Sequence, residues 1–180
     1  MPRYAAFLRA VNLGGGTRVS MGALGATLAR AGYREVRTLL QSGNVVLRAD
    51  PKSAAEVEAE VEGAIARSFG YRTDVFVRSP TEWHNVVSAN PFPRAAGADP
   101  SHLTVLVLRA APAAGRWADL ARGIVGSERL EPAGRHGYLH YPDGIGRSRL
   151  TLDRIERALG TRGTLRNWNT VSRVDELLRG

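Results

Sequence analysis

The chain has 180 residues, 43% hydrophobic and 23% charged, with 20 glycines, 9 prolines and no cysteine; a chain of this size buries roughly 70% of the surface its unfolded form exposes, which excludes disorder as the dominant state. The missing cysteine excludes disulfides, iron–sulfur clusters, cysteine-held zinc and thiol nucleophiles, and fits a reducing compartment. A net charge of +8 and a pI near 10.9 favour anionic partners, although Lys52 is the only lysine and the arginines are dispersed without a polybasic tail.

Residues 4–11 are an apolar run broken by Arg9 and bounded by glycines, the pattern of a buried strand. After Gly14, Gly15 and Gly16, Ser20 is placed to cap a helix that carries Met21, Leu24, Leu28 and Ala31 and stops at Gly32. Residues 36–40 and 45–47 read as two strands joined by the turn chemistry of Gln41, Ser42, Gly43 and Asn44. The segment 53–69 is amphipathic: Val57, Val61, Ala64, Ile65 and Phe69 share one face, and Glu56, Glu58, Glu60 and Glu62 read as a solvated one. Residues 71–77 alternate with the period of a strand. The order strand, helix, strand, strand, helix, strand is that of a ferredoxin-like unit, with helices on one face of an antiparallel sheet.

A linker helix at 81–88 and the proline-rich stretch 90–100 mark a boundary between halves 1–90 and 91–180. The second half repeats the theme with a buried strand at 103–108, a helix at 113–124, a strand pair at 129–131 and 137–141 linked through Gly134, and a helix at 151–159 ending at Gly160. Residues 166–178 read as a closing helix with Val171, Val174, Leu177 and Leu178 inward, which leaves no final strand. The expected fold is therefore α+β, with two related ferredoxin-like (βαββαβ-type) halves, the second incomplete and followed by C-terminal helices. The apolar stretches fall far short of the roughly 20 residues that span a bilayer, and the start lacks an apolar signal core, so the expected location is cytoplasmic, without a membrane partner.

Four segments could carry chemistry. The loop Gly14-Gly15-Gly16-Thr17-Arg18 leads from a strand to a helix start, where free amides and the helix dipole favour an anion. It is not a P-loop, because no Lys stands at the required position, and its structural alternative is a wide turn. Gln41, Ser42, Gly43 and Asn44 could grip a ligand's polar edge or bond one another. Arg166, Asn167, Trp168 and Asn169 could offer a stacking surface flanked by amides, or an Asn cap with Trp168 in the core. Tyr141 lies beside the glycine-rich basic loop 143–148, again compatible with stacking and phosphate contact. His136 and His140 lack the helical HExxH pattern, no GxSxG elbow is present, and no metal or cofactor is expected.

The strings LRAVNLGGG, MGALGATLARAGYREVRTLLQSGNVV, YLHYPDGIGRSRL and TLRNWNTVSRVDELL resemble the bacterial domain-of-unknown-function family 1697 nearly end to end. The resemblance maps Arg9, Asn12, Gly14 and Gly15, then Gln41, Ser42, Gly43, Asn44 and Val45, onto the family's motifs. It does the same for Tyr141, Pro142, Gly144, Gly146, Ser148 and Leu150, and for Arg166, Asn167, Trp168, Asn169, Thr170 and Val171, with Arg149 where lysine is usual. It implies a cytosolic α+β protein with two related halves and no established activity, substrate or cofactor.

The leading expectation is a protein that binds an anionic, nucleotide-like or phosphorylated small ligand. Arg9, Arg18 and Arg166 would neutralise charge, Asn12, Gln41, Asn44 and Asn169 would orient the ligand, and Trp168 or Tyr141 would stack. The remaining expected ligand contacts are Gly14, Gly15, Ser42, Ser148, Arg149 and Asn167. Two alternatives stay open: a nucleic-acid module that uses the sheet, with Tyr4 and Phe7 as its aromatics, and an enzyme acting on a phosphorylated or carboxylated metabolite.

Overall fold

An apolar strand without alternation needs both faces covered, and β1 (Arg3–Leu8) is such a strand: Tyr4, Ala5, Ala6, Phe7 and Leu8 are all buried. The computed structural model describes residues 1–9 and 19–180. The glycine loop, and with it Asn12, Gly14, Gly15 and Arg18, therefore lies outside the described residues. The described residues form two four-stranded antiparallel sheets and seven α-helices, divided between a first unit, Met1–Asn85 with Arg173–Gly180, and a second, Val86–Ser172.

In the first unit β1 is followed by α1 (Met21–Arg30), β2 (Arg34–Leu39), β3 (Asn44–Arg48), α2 (Ala54–Phe69) and β4 (Val75–Arg78). The sheet order is β2-β3-β1-β4. Ser20 caps α1 by accepting from the Ala23 amide at 3.1 Å, and Ser53 with Glu56 closes a capping box on α2. Tyr4, Ala6, Leu8, Val45, Leu47, Val75 and Val77 pack with Leu24, Leu28, Val57, Val61 and Ile65 in one core.

Two expectations change here. The strand β4 starts at Val75, where alternation points to a strand over 71–77, and all four of its residues are buried. It is an edge strand, and α2 satisfies its outward amides: Val75 N donates to Glu62 Oε1 at 2.9 Å and Val77 N to Glu58 Oε1 at 2.8 Å. Glu58 is buried, so this acidic row is not simply a solvated face. Its sequence periodicity records which residues avoid the apolar core, and a carboxylate bonded to a strand edge avoids it equally well.

Tyr33 is also buried and donates its hydroxyl to Glu60 Oε2 at 2.9 Å, while Lys52 Nζ meets Glu60 Oε1 at 2.5 Å. Burial, then the Glu60 hydrogen bond, pushes the phenol well above its ordinary value of 10.0. Folding therefore favours the protonated phenol, a contribution present in full below the unfolded value and lost as pH rises past it. The unfolding free energy is expected to fall above about pH 10, and to fall less steeply in Tyr33→Phe, as read from urea denaturation at stepped pH. Burial raises Tyr71, Tyr138 and Tyr141 as well, so the variant removes one of several such contributions.

After α3 (Pro80–Ser88) and α4 (Pro93–Ala98), the second unit continues with β5 (Leu103–Leu108), α5 (Arg116–Arg122), β6 (Arg129–Ala133), β7 (His136–His140), α6 (Leu152–Leu159) and β8 (Gly163–Asn167). Its sheet order, β6-β7-β5-β8, matches that of the first. The expectation of an incomplete second half is thus corrected, since β8 pairs with β5 from Thr104 opposite Asn167 to Leu108 opposite Gly163, and only α7 (Trp168–Arg179) follows it. The strand GTLRN holds one large apolar residue and runs straight into α7, so the helical period of the segment masks it. Gly163 is needed there: a Cβ would stand 2.8 Å from Leu108 Cδ2 and 3.1 Å from the Val107 carbonyl oxygen. Gly163→Ala is expected to cost about 1–3 kcal/mol through overpacking, and an unchanged urea midpoint would show that the edge strand can shift at no cost.

The repeat extends to single bonds. Leu8 N donates to Gly43 O at 2.8 Å and Arg9 N to Asp74 O at 2.9 Å; in the second unit Leu108 N donates to Arg135 O at 3.0 Å and Arg109 N to Arg162 O at 2.9 Å. Arg78, opposite Ala5, and Arg166, opposite Val105, are both buried, and each donates from Nη1 to the carbonyl of the preceding residue, at 2.8 and 2.7 Å. The next residue then caps a helix: Ser79 Oγ accepts from Glu82 N at 3.2 Å, and Asn167 Oδ1 from Thr170 N at 3.0 Å. Glu156 on α6 repeats the part of Glu62, accepting from the Gly163 amide at 2.8 Å.

Candidate functional site

The residues singled out in the sequence are distributed over both units. In the first unit Gln41 and Ser42 are exposed at the β2–β3 turn, and the buried Asn44 donates from Nδ2 to Ser42 Oγ at 3.0 Å and to Leu39 O at 2.9 Å. The turn chemistry is therefore used within the turn. Arg9, half-buried, follows β1, and its carbonyl accepts from Thr73 Oγ1 at 2.5 Å.

In the second unit Tyr141 is buried and donates to Leu150 O at 3.1 Å, and Trp168 is only 9% exposed. Neither ring offers a face for stacking, because apolar rings of this size contribute most when removed from water. Ser148 donates to Glu128 Oε1 and accepts from Leu150 N, while Arg149 and Asn169 are exposed. Arg166 also donates to Thr164 Oγ1 at 2.7 Å, and burial lowers its guanidinium to about 10, still charged at neutral pH. Arg78 makes the same bond to the preceding carbonyl in the first unit, so this arginine has a structural role that the repeat shares. Tyr4 and Phe7 are interior residues, which removes the sheet surface that base stacking would need.

A cleft of about 580 Å³ opens instead in the second unit, between α4 and the ends of β6 and β7. Pro91, Phe92, Pro93, Ala95, Ala98 and Pro142 give it an apolar floor, and Arg94, Asp99, Arg129 and His140 supply its polar groups. Such a balance of apolar wall and few polar groups is typical of small-ligand sites. Arg129 stands directly opposite His140 in the β6–β7 register, so the two side chains leave the same face of the sheet. The His140 ring lies 6.2 Å from that of Phe92. Asp99 accepts from Ser101 Oγ at 2.9 Å and meets His102 Nδ1 at 2.6 Å. The Ser101 bond first, then His102 and the charge of His140, hold its carboxyl below the usual range.

The repeat supplies a control for this geometry. By register Arg34 and Arg48 of the first unit correspond to Arg129 and His140. There Glu35 forms ion pairs with Arg48 and Arg3 at 3.0 and 3.5 Å. In the second unit the carboxylate of the cleft is Asp99, which meets His102 and acts on His140 through its charge. Sequence reasoning passed over Phe92, Arg94 and Asp99, because a proline-rich connector reads as a linker, and over Arg129, because it reads only as the start of a strand. The cluster PFPR at 91–94 was the available signal, an aromatic and a base inside a stiff segment.

No helix among the described residues is long and apolar enough to cross a membrane. A search of curated proteins found no match. The fold is similar to that of the conserved bacterial protein SP0830 from Streptococcus pneumoniae, with a TM-score of 0.77 and 18% identity over 98% of each chain. The model of the family described as "Protein of unknown function (DUF1697)" matches residues 1–138, most of this chain. That match covers well over half of the sequence, and the chain belongs to that family.

Proposed function

We propose that the protein binds a small anionic ligand, nucleotide-like or phosphorylated, and that the cleft of the second unit is where it does so. The observation that carries this reading is the placement of Arg94, Arg129 and His140 over an apolar floor with Phe92 in a cavity of about 580 Å³. Guanidinium groups pair bidentately with phosphate or carboxylate oxygens, and an aromatic floor accepts a planar ring. The polar-loop site expected from sequence enters this reading only through residues of the second unit, with Arg149 and Asn169 as exposed candidates. The same reading takes the sequence halves 1–90 and 91–180 as carrying one ferredoxin-like fold each, in a cytoplasmic protein. The shared βαββαβ order and the shared strand order support it.

The test is a thermal-shift screen against mononucleotides, sugar phosphates, dicarboxylates and single-stranded oligonucleotides at low and moderate salt. A ligand at 100 times its dissociation constant adds about 2.7 kcal/mol, or roughly 5–10 °C at this size. A small-molecule shift that persists in moderate salt supports the cleft. Shifts confined to oligonucleotides and lost as salt rises would replace it with a polynucleotide surface, since each phosphate contact steepens the salt dependence.

A further inference from the structure

An anion site needs positive local charge, yet the cleft is lined by one carboxylate, Asp99. Both of its oxygens are engaged, Oδ1 by the Ser101 hydroxyl and Oδ2 by the His102 ring. The other charged or titratable groups of the cleft are Arg94 on α4, Arg129 on β6 and His140 on β7. On the far side of His102 the backbone of Gly144 comes so close that a Cβ there would stand 3.4 Å from Nε2. The neighbouring Asp143 is held by Ser127 Oγ at 2.5 Å. With both imidazoles neutral, two arginines face one carboxylate. A proton on His102 offsets Asp99, and a proton on His140 adds a third cation.

We propose that the cleft is a proton-coupled site for a doubly charged oxyanion, a phosphate or sulfate ester, in which the Asp99–His102 pair and His140 take up protons as the anion binds. The inference rests on the reading of the cleft as an anion site and adds its regulation. Binding tightens as pH falls, because protons entering the cleft add positive charge. By linkage, uptake of one proton per anion raises affinity about tenfold per pH unit.

The experiment is calorimetric titration with inorganic sulfate, whose own charge stays constant between about pH 5.5 and 8.5. It is run in buffers of different ionisation enthalpy, so that protons taken up are counted directly on the unmodified protein. The expected result is an affinity about tenfold higher at pH 7 than at pH 8, with net proton uptake. His102→Gln leaves Asp99 without its counter-charge, and is expected to weaken sulfate at pH 6 and flatten the profile. Asp99→Asn is expected to tighten sulfate at pH 8 several-fold and to flatten the profile from the other end. Sulfate binding of constant affinity without proton uptake overturns the coupling and leaves the anion site standing. No binding of sulfate or phenyl phosphate at any pH overturns both.

Discussion

Replacing Arg94 and Arg129 together by alanine is expected to remove most of the ligand-induced stabilisation while leaving the fold intact. Both side chains are exposed at the cleft rim, so their removal leaves no cavity and no buried group without a partner. Their contribution to binding is a different matter, because each can make charge-assisted bonds to an oxyanion held against a low-dielectric floor. Discounting for solvent, about tenfold in affinity per arginine is a fair magnitude, or about 1.4 kcal/mol each. A ligand that shifts the melting temperature of the native protein by roughly 5–10 °C should then shift the double variant by about 1 °C at the same concentration. Arg149→Ala, on the exposed loop that sequence favoured, serves as the comparison. If Arg149→Ala weakens binding and the double variant does not, the site lies at the loop and the cleft reading falls.

The largest expected effect on stability is at Trp83. It sits on α3 with no exposed surface, and its ring centroid lies 4.5 Å from that of Phe7 at a tilt of 36°. A tilted aromatic pair adds to simple area burial. Truncation to alanine removes the transfer energy of the indole and leaves a cavity against β1, a combination that costs about 3–5 kcal/mol. That is a large part of the stability of an ordinary domain, so Trp83→Ala is expected to unfold at a much lower urea concentration with little change in slope. Trp83→Phe keeps the ring contact with Phe7 and should recover more than half of the loss. A cost below about 1.5 kcal/mol for the alanine variant would mean that the site collapses around the missing ring, and that the contact with Phe7 is dispensable.

Arg166 shows how the internal repeat separates structure from function. A motif of an arginine, an amide and a tryptophan is a reasonable ligand platform when met in isolation. Its counterpart, Arg78 followed by Ser79, binds its own backbone and caps a helix in the same way. Two copies with different neighbours and one shared geometry indicate a requirement of the fold at the end of its last strand. The cleft differs between the copies: at the corresponding corner of the first unit Glu35 pairs with Arg48 and Arg3, and in the second unit α4 and its prolines line a cleft instead.

Sequence by itself determined the order of the elements and most of their identities. Ser20, Ser53, Thr151 and Gly160 mark helix ends by local hydrogen bonding and by backbone conformations available to few residues. LTVLVL declares a strand because six consecutive buried positions suit nothing shorter than a covered sheet. Those signals act within a few residues, so they are legible without a fold. The tertiary structure alone decided that 163–167 is a strand, that Glu58 and Glu62 bond an edge rather than water, and that Trp168 and Tyr141 are core rings. It alone brought Arg94, on a connector, beside Arg129 and His140, some 35 to 46 positions later in the chain. Each of these depends on which segment lies next to which across a long separation, and sheet pairing, not local pattern, sets that.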